Sequence, residues 1–228
     1  CSCCPSKVVR FLPSIPGYVY AVRDRDLYVN LFLAGKGTID VDGEAVEVVQ
    51  ETDYPWSGKI RLAVSPKAAR QFALRLRIPA WVRGQVLPSD LYRYIDASPA
   101  EWTLRVNGEA VDAPLDAGYA VLDRQWKPGD AVELDLPMPI RRVLANEQIE
   151  FDRGRVAIER GPLVYCVEGA DHDGSVLDVW LADDAALTPE HKSDLLSGVT
   201  VLKGDASGVY RSNDGTIRSR PKAITMIP

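Results

Sequence analysis

Apolar residues along this chain recur at every second position in short runs, each bounded by Gly, Pro, Asn or Asp. In "FALRLRIP", Phe72, Leu74, Leu76 and Ile78 fall on one side of an extended chain, and Ala73, Arg75 and Arg77 on the other. Such alternation predicts a strand covered on one face only, as in a β-sandwich. The stretches "LYVNLFLAG", "KIRLAV", "WTLRVNG", "YAVLDRQW", "AVELDLP", "RVAIERGPLVYCVE", "LDVWLA" and "GVTVLKG" repeat the signature.

The turns agree with this reading. Asp42-Gly43 and Asn107-Gly108 each lie between apolar runs, the strongest short hairpin signal, and Lys127-Pro128-Gly129-Asp130 predicts a further tight turn. Helical periodicity is scarce; in "TPEHKSDLL", Thr188 or Pro189 predicts the start of a short helix. The expected class is therefore all-β, with two β-sandwich (jelly-roll-like) domains. A proline-rich break, "LPMPIRRVLAN", places the boundary near residue 145, giving sandwiches over 18–145 and 146–228, and "GQVLPSDLYRYIDASPAEW" reads as an insertion between two strands. The absence of an initiator Met and the final "AITMIP", which stops inside an expected strand, read as a portion of a longer protein.

Composition narrows the function. Of 228 residues, 46% are hydrophobic and 26% charged, the balance of a globular chain with a sizeable core. The net charge of −5, with signs interspersed as in "VRDRDLYV", provides no basic stripe to track a phosphate backbone and argues against a nucleic-acid partner. No apolar run reaches the ~18–20 residues of a membrane helix, so no membrane partner is expected.

Three of the four cysteines, Cys1, Cys3 and Cys4, crowd the first four positions of "CSCCPS". Four thiols, so clustered, are too few for a disulfide framework and read as a site. Thiolates are preferred ligands of Zn²⁺, which in structural sites takes four. Cys3 and Cys4 could share one metal on a bent backbone, and Pro5 biases Cys4 toward an extended conformation. Three thiols do not close the shell. The spacing alone leaves a pair of incidental thiols about as plausible, and a structural zinc or redox cluster is a further alternative.

"CSCCPS", "KVVRFLPSIPGYVYA", "DYPWSGKIRLAV", "FALRLRIPAWVRG", "LRVNGEAV", "DRGRVAIERGPLVYC" and "ITMIP" together resemble the C-terminal part of glycoside hydrolase family 127, the β-L-arabinofuranosidases. The resemblance spans essentially the whole chain and is most specific at Cys-Cys-Pro and Arg-Gly-Pro-Leu-Val-Tyr-Cys. It implies that residues 1–17 are the end of a catalytic (α/α)6 barrel and that β-sandwich domains follow this truncated end. It further implies that Cys3 is nucleophile and zinc ligand and Cys4 a zinc ligand. An upstream Glu and an upstream Cys complete the Zn²⁺ shell, and another upstream Glu is the acid/base; none of these three lies in this sequence. Cys1 matches the motif's outlying cysteine, with no role assigned. The implied activity is retaining hydrolysis of a plant-derived arabinofuranoside or related oligosaccharide. The isolated chain is expected to be inactive, and a homodimer through a β-sandwich domain is one allowed assembly. The compartment is left open by the sequence, with free thiols at a metal favouring a reducing, cytoplasmic one. The alternative function is a non-catalytic carbohydrate-binding or docking module.

Other candidates have plainer readings. Cys166, within "PLVYCVE", is expected to pack in the core as a small hydrophobe. His172 and His191 sit in polar, turn-like surroundings and are expected at the surface; "DHDG" lacks the spacing of a calcium loop. Most of Trp56, Trp81, Trp102, Trp126 and Trp180 are expected as packing, with sugar stacking open to them, while Tyr92 and Tyr94 in the inserted stretch are expected to border a substrate cleft. Glu147, Glu150 and Asp152 read as a charged turn rather than a glycosidase pair.

Overall fold

The computed structural model describes residues 3–228, Cys3 through its backbone alone. Helix α1 (Cys3–Phe11), a 3₁₀ turn (Leu12–Ser14) and α2 (Pro16–Val19) open the described chain. Cys4 therefore lies in a helical first turn and not in the extended backbone expected before Pro5. A proline in the first turn has no N–H to lose there, so the helix tolerates it.

The strands follow in the order β1 (Tyr20–Arg23), β2 (Asp26–Val29), β3 (Gly35–Val41), β4 (Glu44–Thr52), β5 (Lys59–Pro66), β6 (Arg70–Arg77), β7 (Tyr92–Tyr94), β8 (Thr103–Val106), β9 (Glu109–Ala110), β10 (Leu115–Asp116), β11 (Tyr119–Trp126) and β12 (Asp130–Asp135). Next come β13 (Ile140–Ala145), β14 (Ala157–Arg160), β15 (Leu163–Val167), β16 (Val179–Trp180), β17 (Leu187–Lys192), β18 (Val199–Arg211) and β19 (Ile217–Ile227). The class is all-β. The chain divides into two compact units: the first runs to Pro88 and resumes over Ser98–Met138, and the second combines Ser89–Ala97 with Pro139–Pro228.

In the first unit, one sheet runs β1-β2-β6-β11-β10 and another β3-β4-β5-β12-β8-β9. Only β2 and β6 pair in parallel among the pairings described. In β6 the predicted inward set holds, with Phe72, Leu74 and Leu76 buried and Ile78 buried just beyond, while Ala73, on the face expected to be open, is buried as well. Val48, Leu62, Val64, Val132 and Leu134 supply the inward positions of the other sheet. Trp126 closes the end of β11, fully buried, its indole N–H donating to the Phe72 carbonyl at 3.0 Å. Asp42-Gly43 and Asn107-Gly108 each place two successive residues at positive φ, as a two-residue type I′ hairpin turn requires.

The second unit is an eight-stranded sheet, ordered β16-β18-β19-β15-β14-β13-β7, with β17 also on β18. Ile158, Tyr165, Leu202, Ile224 and Met226 form its core. The stretch read as an insertion supplies β7, which pairs antiparallel with β13 (Tyr94 opposite Val143). The division between units falls at Met138–Pro139, several residues before the position read from the sequence, because β13 hydrogen-bonds onward to β14.

Three expectations are overturned here. "TPEHKSDLL" is not a helix: Leu187–Lys192 pairs with Val199–Gly204. Among the described pairings β17 joins only β18, and an edge strand is where a sheet tolerates a residue such as Pro189 that has no N–H to donate. Cys166 is exposed rather than buried. Tyr165 points into the core, so strand alternation sends Cys166 to the opposite face with exposed Val164. His172 is 8% exposed rather than solvated.

Candidate functional site

Cys3 begins α1 and Cys4 follows it, exposed. The side chain of Cys3 and all of Cys1 lie outside the described residues. α1 also presents Val8, Val9 and Phe11, each more than half exposed. Among the described residues no three His, Cys, Asp or Glu side chains gather in a metal-binding group. The donor chemistry of Cys3 and Cys4 fits zinc all the same, since thiolates are among its preferred ligands and two supply half of a tetrahedral shell.

The other candidates resolve into structural networks. Tyr94 is buried in β7; its hydroxyl donates to Glu159 Oε2 at 2.7 Å, and the Arg141 guanidinium lies 4.8 Å from the ring centroid. Burial, then the Glu159 carboxylate, pushes its hydroxyl well above the ordinary tyrosine value. Tyr94 is thus core to the second unit rather than the border of a cleft. Tyr92 donates a long 3.4 Å hydrogen bond to Asp152. Glu150–Asp152 form a 3₁₀ turn, with Glu150 3.9 Å from Arg153, and Glu147 contributes its backbone carbonyl to the Arg153 guanidinium. These carboxylates form a charged turn, as the sequence indicates.

In the first unit Asp130 ties two turns together. Its carboxylate accepts from the Asn107 amide at 3.0 Å and from the Lys127 backbone N–H at 2.9 Å. Burial tends to raise its pKa, but these bonds and the nearby Arg124 and Lys127 charges outweigh it, leaving the group below the ordinary aspartate value. This is anchoring geometry rather than a reactive carboxyl.

The sequence reading did not single out a cleft on the core face of the second unit. Its volume is about 670 Å³, and Ile158, Ile224 and Met226 line its apolar part while Trp180, Arg155 and Asp183 add an aromatic ring and two charges. Trp180 was among the sugar-stacking candidates. The signal available in sequence was "DVWLADD", an aromatic residue flanked by carboxylates in a polar segment.

Two family models match the chain nearly end to end: the β-L-arabinofuranosidase GH127 middle domain over residues 26–138 and the glycoside hydrolase family 127 C-terminal domain over residues 140–228. The chain belongs to glycoside hydrolase family 127. The junction between the two models coincides with the Met138–Pro139 division of this GH127 chain. A non-reducing end β-L-arabinofuranosidase of Bifidobacterium longum subsp. longum is 30% identical, aligned with 100% of this chain and 34% of its own length. Among solved structures, a GH127 β-arabinofuranosidase superposes with a TM-score of 0.94 at 42% identity, over 100% of this chain and 36% of that one. A GH127 β-L-arabinofuranosidase from Geobacillus stearothermophilus T6 gives a TM-score of 0.86 at 36% identity, covering 100% and 35% respectively. The chain thus spans about a third of the length of the relatives it matches. Among the described residues, no helix is long and apolar enough to cross a membrane.

Proposed function

We propose that these 228 residues are the C-terminal portion of a zinc-dependent, retaining glycoside hydrolase that releases β-L-arabinofuranose, or a related sugar, from plant glycans. The observation that carries this reading is the likeness, over 100% of this chain, to proteins named β-L-arabinofuranosidases, in a chain that opens with two adjacent thiols before a proline.

Cys3 is the nucleophile and, with Cys4, a metal ligand. Zinc, when bound, keeps these thiols deprotonated at neutral pH. The Cys3 sulfur attacks the anomeric carbon as the bond to the leaving oxygen breaks, and a carboxylic acid gives that oxygen its proton. Water, losing a proton to the resulting carboxylate, then displaces the sulfur. Two inversions at one carbon return the starting configuration. The acid/base Glu and the remaining zinc ligands come from chain beyond these residues, so the 228-residue chain alone is inactive. Reactive thiols suit a reducing, cytoplasmic compartment. A homodimer through a β-sandwich domain is an assembly consistent with this reading.

The test uses a protein of full family length carrying this chain. Zinc near one per chain, with hydrolysis of an aryl β-L-arabinofuranoside abolished by Cys3→Ser, is the expected result. Hydrolysis that survives Cys3→Ser would reduce that cysteine to a structural ligand at most.

A further inference from the structure

The cleft of the second unit combines features that seldom meet on a merely structural surface. Its apolar part is the core itself: Ile158, Ile224 and Met226 are each at most 6% exposed, yet they line an opening of about 670 Å³. That volume lies in the range of small-ligand sites. Trp180, 58% exposed, stands on β16, a two-residue strand held to β18 opposite Ser207. Nearby anchors limit its freedom: Arg142 donates to the Ala185 carbonyl at 2.6 Å, and Asp178 accepts from Lys222 at 2.7 Å. The tryptophan is therefore an indole presented by a tethered segment.

The two charged groups at the cleft are Arg155 and Asp183. Both are exposed, and among the described residues neither side chain takes part in a hydrogen bond or ion pair, so both are open to a ligand at the cleft. A guanidinium can only donate and a carboxylate can only accept, so together they match a ligand bearing hydroxyls, which do both. The indole face offers apolar area for the C–H side of a ring. A phosphate or carboxylate ligand would be opposed by Asp183, and a purely apolar ligand would leave both charges without a partner.

We propose that this cleft is a binding subsite for a neutral saccharide, with Trp180 stacking on a sugar ring and Arg155 and Asp183 holding its hydroxyls. The choice of an arabinofuranosyl sugar as ligand rests on the function proposed above; the site itself does not require the chemistry at Cys3.

The experiment is saturation-transfer NMR on the 228-residue chain with an L-arabinofuranosyl disaccharide and, separately, a glucose disaccharide. Transfer to ring protons is expected for the arabinofuranosyl probe. Trp180→Ala should weaken binding about tenfold or more, Trp180→Phe should retain most of it, and Asp183→Asn combined with Arg155→Gln should weaken it comparably. Trp56→Ala, which removes another exposed tryptophan from the first unit, should leave it unchanged. Unchanged thermal midpoints separate these effects from unfolding. Transfer that persists in Trp180→Ala, or no transfer to either sugar, overturns the subsite. Transfer to the glucose disaccharide alone keeps the subsite and overturns its ligand. Hydrolysis by the full-length protein, wild type against Cys3→Ser, is read independently, so failure at the cleft is distinguishable from failure of the enzymatic reading.

Discussion

The backbone N–H of Thr225 donates to Nε2 of His172 at 2.9 Å. An accepting Nε2 places the ring proton on Nδ1, which sits 2.8 Å from the Glu168 carbonyl and donates to it. One neutral imidazole thus fixes the 3₁₀ turn at Gly169–Asp171 to β19, and both ring nitrogens are used.

His172→Ala should therefore cost about 1–3 kcal/mol, because it leaves the Thr225 N–H and the Glu168 carbonyl without this partner in a site that is little exposed. Urea denaturation of the two proteins measures it. An unchanged midpoint would mean that water replaces the ring at no cost.

Asp130 makes stability depend on acid. Its folded pKa lies below the ordinary value of 3.8, so its contribution is fully present above that value and is lost as pH falls through the folded pKa. Asp130→Asn should be less stable than wild type by about 1–2 kcal/mol at neutral pH, since two hydrogen bonds lose their charged acceptor. The difference should shrink toward zero in the acid range below 3.8. A difference independent of pH would assign the effect to shape instead of charge.

Gly58 is pinned by close approach. A Cβ there would run into the Leu136 carbonyl, while the Gly58 carbonyl itself accepts from the Leu136 N–H at 2.9 Å. Gly58→Ala should destabilise the first unit by about 1–3 kcal/mol through forced backbone displacement. A thermal melt lowered by several degrees is the expected readout. Gly43→Ala, which meets no neighbouring atom, tests the separate cost of a positive φ.

The sequence was most legible where local rules coincide with the final environment. The inward set of β6, the glycine-bearing hairpins at Gly43 and Gly108, and the burial of Trp126 all follow from periodicity of two and turn chemistry. It was least legible where a distant partner decides. Tyr94 reads as a loop aromatic until β13, fifty residues on, offers it an edge. Pro189 reads as a helix start until β18 captures it. For Cys166 the local rule sufficed but needed a reference point: Tyr165 fixes which face is inward, and its neighbour must then point out. The Trp180 cleft was half visible, as an aromatic residue in polar surroundings. Its place beside Arg155, just before β14, and Ile224, on β19, comes from segments far apart in the chain.

The excursion of Ser89–Ala97 into the second unit makes the two units inseparable by a single cut. A gene truncated after Met138 would carry β7 without β13, its partner, and a gene begun at Pro139 would leave β13 with an unpaired edge where β7 belongs. The polypeptide leaving a ribosome meets the same constraint: β7 emerges more than forty residues before the strand that fixes it. Any shuffling of this pair of modules between proteins must move them together, or rebuild the border of the second sheet from new sequence.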